Sequence, residues 1–342
     1  MINLKKGAEG AISRREVVGG LAAGAVGLVA GWTKPADAEP PPETTRLRVS
    51  QFVGGLCAVP QYVAKELFIS EGFTDMQYVP VTPAGFNKSL ASGEIDLTMG
   101  FVAPFAIRID AGDPIVLLAG VHPGCFELFA TDRVRTVRDL QGKAVAVQAI
   151  GSSQHAFTAT IVAHVGLDPR RDISWVTHPA PEQMRLLADG KIDAYLSFPP
   201  ESYELRARGV GRVILNSTLD RPWSRYFCCV LAGNREFVRK HPVAAKRAIR
   251  AMLKAASVCA AEPERAARAL VDQGFTPRFD HAVQVMRELP YGRWREFDPE
   301  DTLRFYALRL HEAGLIKSTP QKLMAQGADW RFLNELKREL KG

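Results

Sequence analysis

Short apolar runs alternate with stretches of helical period along the first two thirds of the chain, and the alternation is written twice. Leu47, Val49 and Phe52 mark a strand over 47–52, followed by a glycine loop and a helix over 59–71. Gly72 stops that helix and a second strand follows over 75–80. The same order returns with a strand over 144–148, a turn at 150–153 and a helix running to about Val165. Gly166 and a strand over 173–178 complete it. Strand-helix-strand units of this kind predict α/β lobes with largely parallel sheets.

The two halves also share residues. Leu90, Ala91, Gly93, Ile95, Asp96 and Phe101 recur as Leu187, Ala188, Gly190, Ile192, Asp193 and Phe198, a fixed offset of 97. Both segments read as a helix end, a glycine stop and a short buried strand. Gly93 and Gly190 suit the left-handed position after a helix, where a Cβ would clash. Asp96 and Asp193 follow the turn and precede an apolar strand, so a structural turn contact is the favoured reading over a ligand group.

Two further apolar strands, 125–130 and 227–232, read as crossovers between the lobes. From Pro242 onward the pattern is helical: 244–260, then 263–273 capped by Gly274, then a helix opened by Asp298 as N-cap, and 333–341. The domain organisation expected is a first lobe of 45–128 with 227–342 and a second lobe of 129–226.

Residues 1–38 stand apart. Lys5, Lys6, Arg14 and Arg15 precede an apolar run, 17–32, that five glycines interrupt, and a small-x-small site ends at Ala38. This is the layout of a cleaved secretory signal, and Arg14-Arg15 before the run reads as a twin-arginine signal. The run is shorter than the ~20 residues a spanning helix needs. The expectation is export to the periplasm with cleavage near Ala38.

Composition fits a packed soluble chain, with 46% hydrophobic and 24% charged residues. The formal net charge of +7 is dispersed, which disfavours nucleic acid and suits an anionic ligand weakly. The five cysteines (Cys57, Cys125, Cys228, Cys229 and Cys259) match no zinc or redox spacing, and the seven histidines form no metal-ligand pair. No metal and no cofactor are expected. Cys125 with Cys228 or Cys229 is a candidate disulfide, because both segments read as adjacent crossovers.

The ordered set of motifs resembles the nitrate, sulfonate, taurine and thiamine-pyrimidine-precursor substrate-binding family of ABC importers. Tyr62, Lys65 and Glu66 with Glu71-Gly72, the segment 90–101, and the segment 137–143 carry the resemblance. Asn234 to Pro242 with the helix after it, and Glu262-Pro263-Glu264, add to it. The resemblance implies a type II periplasmic binding protein fold, two α/β lobes joined by two crossover strands with a ligand held between them, but it does not fix the ligand. The expectation is a small anionic or heteroaromatic ligand, an ABC permease and ATPase as partners, a monomer, and no enzymatic activity.

In open α/β sheets ligands sit beyond the carboxyl ends of strands, where free helix amides favour anions. The residues so placed are Gly54, Gly55, Cys57 and Phe101 in the first lobe, and Gly151, Ser152, Ser153, Gln154 and Phe198 in the second. His122, Trp223 and Tyr226 lie near the hinge. Ser152 and Ser153 are the best polar candidates, although a helix cap explains them equally well. Two rival readings stand. A desulfinase acting on aromatic sulfinates is similar at the loop Cys57-Ala58-Val59-Pro60, which makes Cys57 a candidate nucleophile. A ligand sensor for a membrane receptor would use the same lobes without transport.

Overall fold

Alternate side chains of residues 46–52 turn inward, so Leu47 and Val49 are buried while Arg46 is exposed. This pattern places the first strand of a computed structural model that describes residues 39–52, 56–82 and 85–340. The expected signal segment, 1–38, lies outside the described residues, as do Gly54 and Gly55. The fold is that of the body from Pro41 onward.

The first pass of the chain runs β1 (Arg46–Phe52), α1 (Val59–Val63), α2 (Lys65–Ser70), β2 (Asp75–Val81), α3 (Phe86–Ser92), β3 (Leu97–Phe101), α4 (Val102–Asp110) and β4 (Ile115–Pro123). The predicted helix over 59–71 is thus two helices, broken at Ala64, and α4 follows β3 directly after Phe101. The second pass runs β5 (Glu127–Ala130), β6 (Lys143–Val147), α5 (Ser153–His164), β7 (Ile173–Thr177), α6 (Ala180–Ala188), β8 (Ala194–Ser197), α7 (Glu201–Arg208) and β9 (Arg212–Asn216). The chain then returns through β10 (Phe227–Asn234) to a helical tail: α8 (Arg235–Lys240), α9 (Pro242–Ala261), α10 (Pro263–Asp272), α11 (Phe279–Glu288), α12 (Pro299–Glu312), α13 (Pro320–Gly327) and α14 (Arg331–Glu339).

Two five-stranded sheets result, ordered β2-β1-β3-β10-β4 and β7-β6-β8-β5-β9. They have equivalent topology. In each, one strand arriving from the other half of the chain, β10 or β5, runs antiparallel between its neighbours. The remaining pairs, β1 with β2 and β3, and β6 with β7 and β8, are parallel. β5 pairs only within the second sheet and β10 only within the first. The passages between lobes are therefore the short segments 124–126 and 217–226, not the strands themselves.

The repeated glycine and aspartate work as paired staples. Gly93 and Gly190 hold φ of 75° and 66°, ending their helices in the left-handed region. Asp96 Oδ2 accepts the Arg48 amide at 2.7 Å, and Asp193 Oδ2 accepts the Ala144 amide at 3.0 Å. Each aspartate returns its own amide to the same residue's carbonyl at 2.8 Å. An arginine completes each carboxylate: Arg48 for Asp96, Arg133 for Asp193. These bonds fix β3 on β1 and β8 on β6, and so set where the strand ends fall.

Strand β10 and the edge strand β4 are buried along their whole length, as expected for a sheet covered on both faces. They fit closely. A Cβ at Gly120 would stand 2.1 Å from the Phe227 ring, so only glycine allows the two strands to pair. Gly120→Ala should lose about 2 kcal/mol of stability, since overfilling a packed core costs roughly 1–3 kcal/mol. Urea unfolding at matched pH measures this. A loss under about 0.5 kcal/mol, the scale of an ordinary surface change, would show that the ring moves aside freely.

Candidate functional site

The strands of the two sheets end facing one another, and a cavity of about 430 Å³ lies between them. The first lobe contributes Phe52 at the end of β1, Cys57 and Ala58 ahead of α1, Phe86 at the start of α3, Met99 to Phe101 at the end of β3, and Cys229 in β10. The second contributes Gln148, Ser153, Gln154, Ala180, Pro181, Met184, Phe198, Glu201 and Glu204, with Phe126 from the passage between sheets. This size suits a small molecule, and an apolar wall with a few polar groups is the usual build of such a site.

Buried hydrogen bonds hold the first-lobe wall in place. Gln61 in α1 gives its amide to Ser50 O at 2.6 Å and accepts from Met99 N at 2.9 Å, locking α1 across β1 and β3. Tyr62 Oη accepts from Phe52 N at 2.8 Å. The loop carrying Cys57 is thereby fixed at the strand ends. It also touches the opposite lobe directly, with Leu56 N donating to Pro199 O at 3.1 Å.

The second-lobe wall is built on the start of α5. Ser152 is its N-cap, and its hydroxyl accepts from His155 N at 3.3 Å. Ser152 is thus spent on the cap, while Ser153 and Gln154 face the cavity. Their amides are the first two of the helix and have no intrahelical carbonyl to meet. Gly151 makes the turn before the helix, with φ of 83° and its amide on His155 Nδ1. Burial pushes the His155 imidazole below its usual range, so the ring is neutral.

Apart from the thiols, the wall's ionisable groups are carboxyls. Among the described lining residues there is no lysine, arginine or histidine, but Glu201 and Glu204 lie one helical turn apart at the start of α7. Burial raises the Glu201 carboxyl to about 8, with Glu204 adding to the effect. Glu201 Oε2 and Gln148 Oε1 are buried oxygens with no hydrogen-bond partner. The amide oxygen accepts, and a protonated Glu201 carboxyl both accepts and donates. Two such atoms on one cavity wall call for polar partners on whatever fills it, a donor for Gln148 above all, because an unmet buried polar group costs about 1–3 kcal/mol.

Five of the twelve residues expected from sequence line the cavity: Cys57, Phe101, Ser153, Gln154 and Phe198. Ser152 and Gly151 shape the helix start behind it. Trp223 and Tyr226, expected near the hinge as site residues, do not line the cavity. Trp223 is buried behind the cavity against Phe157 at 5.1 Å, and Tyr226 stacks on Phe305 at 3.9 Å, so both brace the hinge against α12. His122 is fully buried behind the Cys57 loop, its ring nitrogens against the Pro123 and Cys57 carbonyls. Phe126, Phe52, Phe86, Glu201 and Cys229 were missed. Phe126, Glu201 and Cys229 lie in segments the sequence placed near the site or the hinge, but nothing in their spacing separates wall from core.

The cysteines come together although their spacing gave no sign of it. Sγ atoms of Cys57, Cys125 and Cys229 lie within 4.8 Å of one another, and Cys125 Sγ is 3.1 Å from Cys228 Sγ. All five cysteines are free thiols.

Two lobes of equivalent topology, two passages between them and a cavity at the facing strand ends define the periplasmic binding protein fold. The NMT1-like family profile matches residues 40–271, most of the chain, and the protein belongs to that family. Among solved structures, the fold is similar to the periplasmic nitrate-binding protein NrtA from Synechocystis PCC 6803, with a TM-score of 0.72 and 15% identity, covering 88% of this chain and 90% of that one. It is similar to the alkanesulfonate-binding protein SsuA from Xanthomonas axonopodis pv. citri, solved bound to MOPS, with a TM-score of 0.64 and 19% identity over 81% and 96% of the two chains. The desulfurization enzyme DSZB shares it too, with a TM-score of 0.57 and 17% identity over 86% and 99%. No curated protein matches the chain.

Proposed function

We propose that this protein is the solute-binding component of an ABC importer and that its ligand is a flat, largely apolar heteroaromatic compound bearing N–H donors. The observation that carries the ligand class is the wall itself: Phe52, Phe86, Phe101, Phe126 and Phe198 around two unpartnered oxygens, with no basic side chain among the described lining residues. An inorganic anion or a sulfonate would meet Glu201 and Glu204 with only helix amides in its favour. A planar ring instead replaces water against the phenylalanines and gives its donors to Gln148 and Glu201. Family membership supports the transport role. In this reading the chain is exported through its twin-arginine signal, is cleaved near Ala38, acts as a monomer in the periplasm, and hands its ligand to a permease and its ATPase. It is not an enzyme.

Calorimetry against a panel of aminopyrimidines and related heteroaromatics, with nitrate, taurine and an alkanesulfonate alongside, tests this. The heteroaromatic members should bind and the anions should not. Phe198→Ala should then weaken binding by about tenfold, since an aromatic pair is worth roughly 0.5–1.5 kcal/mol beyond the area it buries and ~1.4 kcal/mol is a factor of ten in affinity. Tight binding of a sulfonate with no response to the panel would overturn the ligand class. Chemical conversion of the bound compound, lost in Cys57→Ala, would replace transport with catalysis.

A further inference from the structure

We propose that the thiols of Cys57, Cys125 and Cys229 form a binding site for one thiophilic divalent cation of the zinc class, with its fourth coordination position open to the cavity. The site stands apart from the transport reading and needs no organic ligand. Three residues far apart in sequence supply it: Cys57 from the loop before α1, Cys125 from the passage between the sheets, and Cys229 from β10. Their Sγ atoms fall within 4.8 Å of one another. A zinc-class ion with sulfur ligands at ~2.3 Å holds them about 3.8 Å apart in a tetrahedron, so small side-chain rotations close the site. Cys57 and Cys229 also line the cavity, which places the remaining vertex on its side.

The surroundings select the charge of the ion. His122 Nδ1 lies 3.1 Å from Pro123 O and its Nε2 lies 3.2 Å from Cys57 O. Both ring nitrogens face carbonyl oxygens, an arrangement in which a protonated ring donates through each. Three thiolates around a divalent ion leave one net negative charge, and an imidazolium in this position offsets it. A monovalent ion would leave more negative charge buried.

Two neighbours complete the cluster. Cys228 Sγ lies 3.1 Å from Cys125 Sγ, behind the three ligands. Tyr291 donates from Oη to Cys57 O at 3.0 Å and so holds the loop that carries Cys57. Thiols bind such an ion as thiolates, so binding releases protons to solvent and tightens as pH rises.

The test uses the full mature chain, reduced and freed of reductant, titrated with Cd(II) as a spectroscopic probe and with Zn(II) against a chromophoric chelator. One equivalent should raise a thiolate-to-metal charge-transfer band and protect three of the five thiols from alkylation, as read by peptide mass spectrometry. Cys57→Ser, at the cavity edge and so the substitution safest for folding, should weaken binding by more than the roughly 10–100-fold that loss of a mere supporting group costs. Cys229→Ser should do the same, and Cys259→Ser, outside the cluster, should change nothing. Absence of the band, or binding in Cys57→Ser equal to that of the unaltered chain, overturns the proposal. So does a Cys125–Cys228 disulfide in the purified protein whose reduction opens no Cd(II) site.

Discussion

Asp96→Ala is expected to cost about 2–4 kcal/mol of folding stability, while the equivalent Asp193→Ala should cost only about 1 kcal/mol, because truncating one member of a buried pair strands the other. Both aspartates staple a strand to its neighbour through the same bonds, but their surroundings differ. Asp96 is 5% exposed and its Arg48 28%, whereas Asp193 is 14% exposed and Arg133 55%. Removing Asp96 leaves the Arg48 amide and much of a guanidinium without an acceptor, away from water. At Asp193, water replaces most of what is lost. Urea unfolding of the two variants, read as midpoint shifts at constant m-value, decides it. Equal losses would mean that the exposure of the arginine is irrelevant and that the amide bond alone matters.

The second large effect is a pH dependence. Glu201 titrates at about 8 in the folded protein against an ordinary value of 4.5. Between these limits the folded chain holds a proton that the unfolded chain has released. Its contribution is therefore complete below about pH 4.5 and is lost as pH rises through 8. Each pKa unit corresponds to ~1.36 kcal/mol. The positive end of α7, where Glu201 is the first residue, offsets part of the effect of burial. Glu201→Gln should consequently gain about 2–3 kcal/mol over the unaltered chain at about pH 8.5, and nothing at about pH 4. Comparing the two proteins at each pH cancels every other titrating group. Parallel stability curves would show that Glu201 is solvated in the cavity.

Much of this fold was legible in the residues themselves. Gly93 and Gly190 occupy the left-handed conformation the repeat required, and Asp96 and Asp193 make the turn contacts that were favoured over ligand roles. What periodicity does not carry is partner choice. The apolar run 125–130 looks the same whichever sheet it joins, and only pairing with β8 and β9 assigns β5 to the second. The site divides in the same way. Phe101, Phe198, Ser153 and Gln154 were readable because strand ends and helix starts face the cleft in any such topology. Trp223 and Tyr226 were not, because an aromatic near a hinge packs equally well against a cavity or against α12, and here Phe305 and Phe157 take them. Net charge does not report on the cavity wall. Arginine supplies most of the positive side, and many arginines pair with acids on the exterior, while the cavity wall carries Glu201 and Glu204.

The equivalence of the two sheets reaches into the cavity. Phe101 and Phe198 end equivalent strands, and both rings meet Phe126, at 5.2 Å and 6.0 Å. Each lobe thus offers one ring of a matched pair to a planar molecule, while Phe52 and Phe86 add aromatic surface on the first lobe alone. Orientation must then be read from the places where the halves disagree. One jaw offers sulfur, at Cys57 and Cys229; the other offers carboxyl and amide oxygen, at Glu201, Glu204 and Gln148. A guest with its hydrogen-bond donors at one end and a soft, electron-rich atom at the other has a single way in, whereas a symmetrical guest has two and is held by the ring stacking alone.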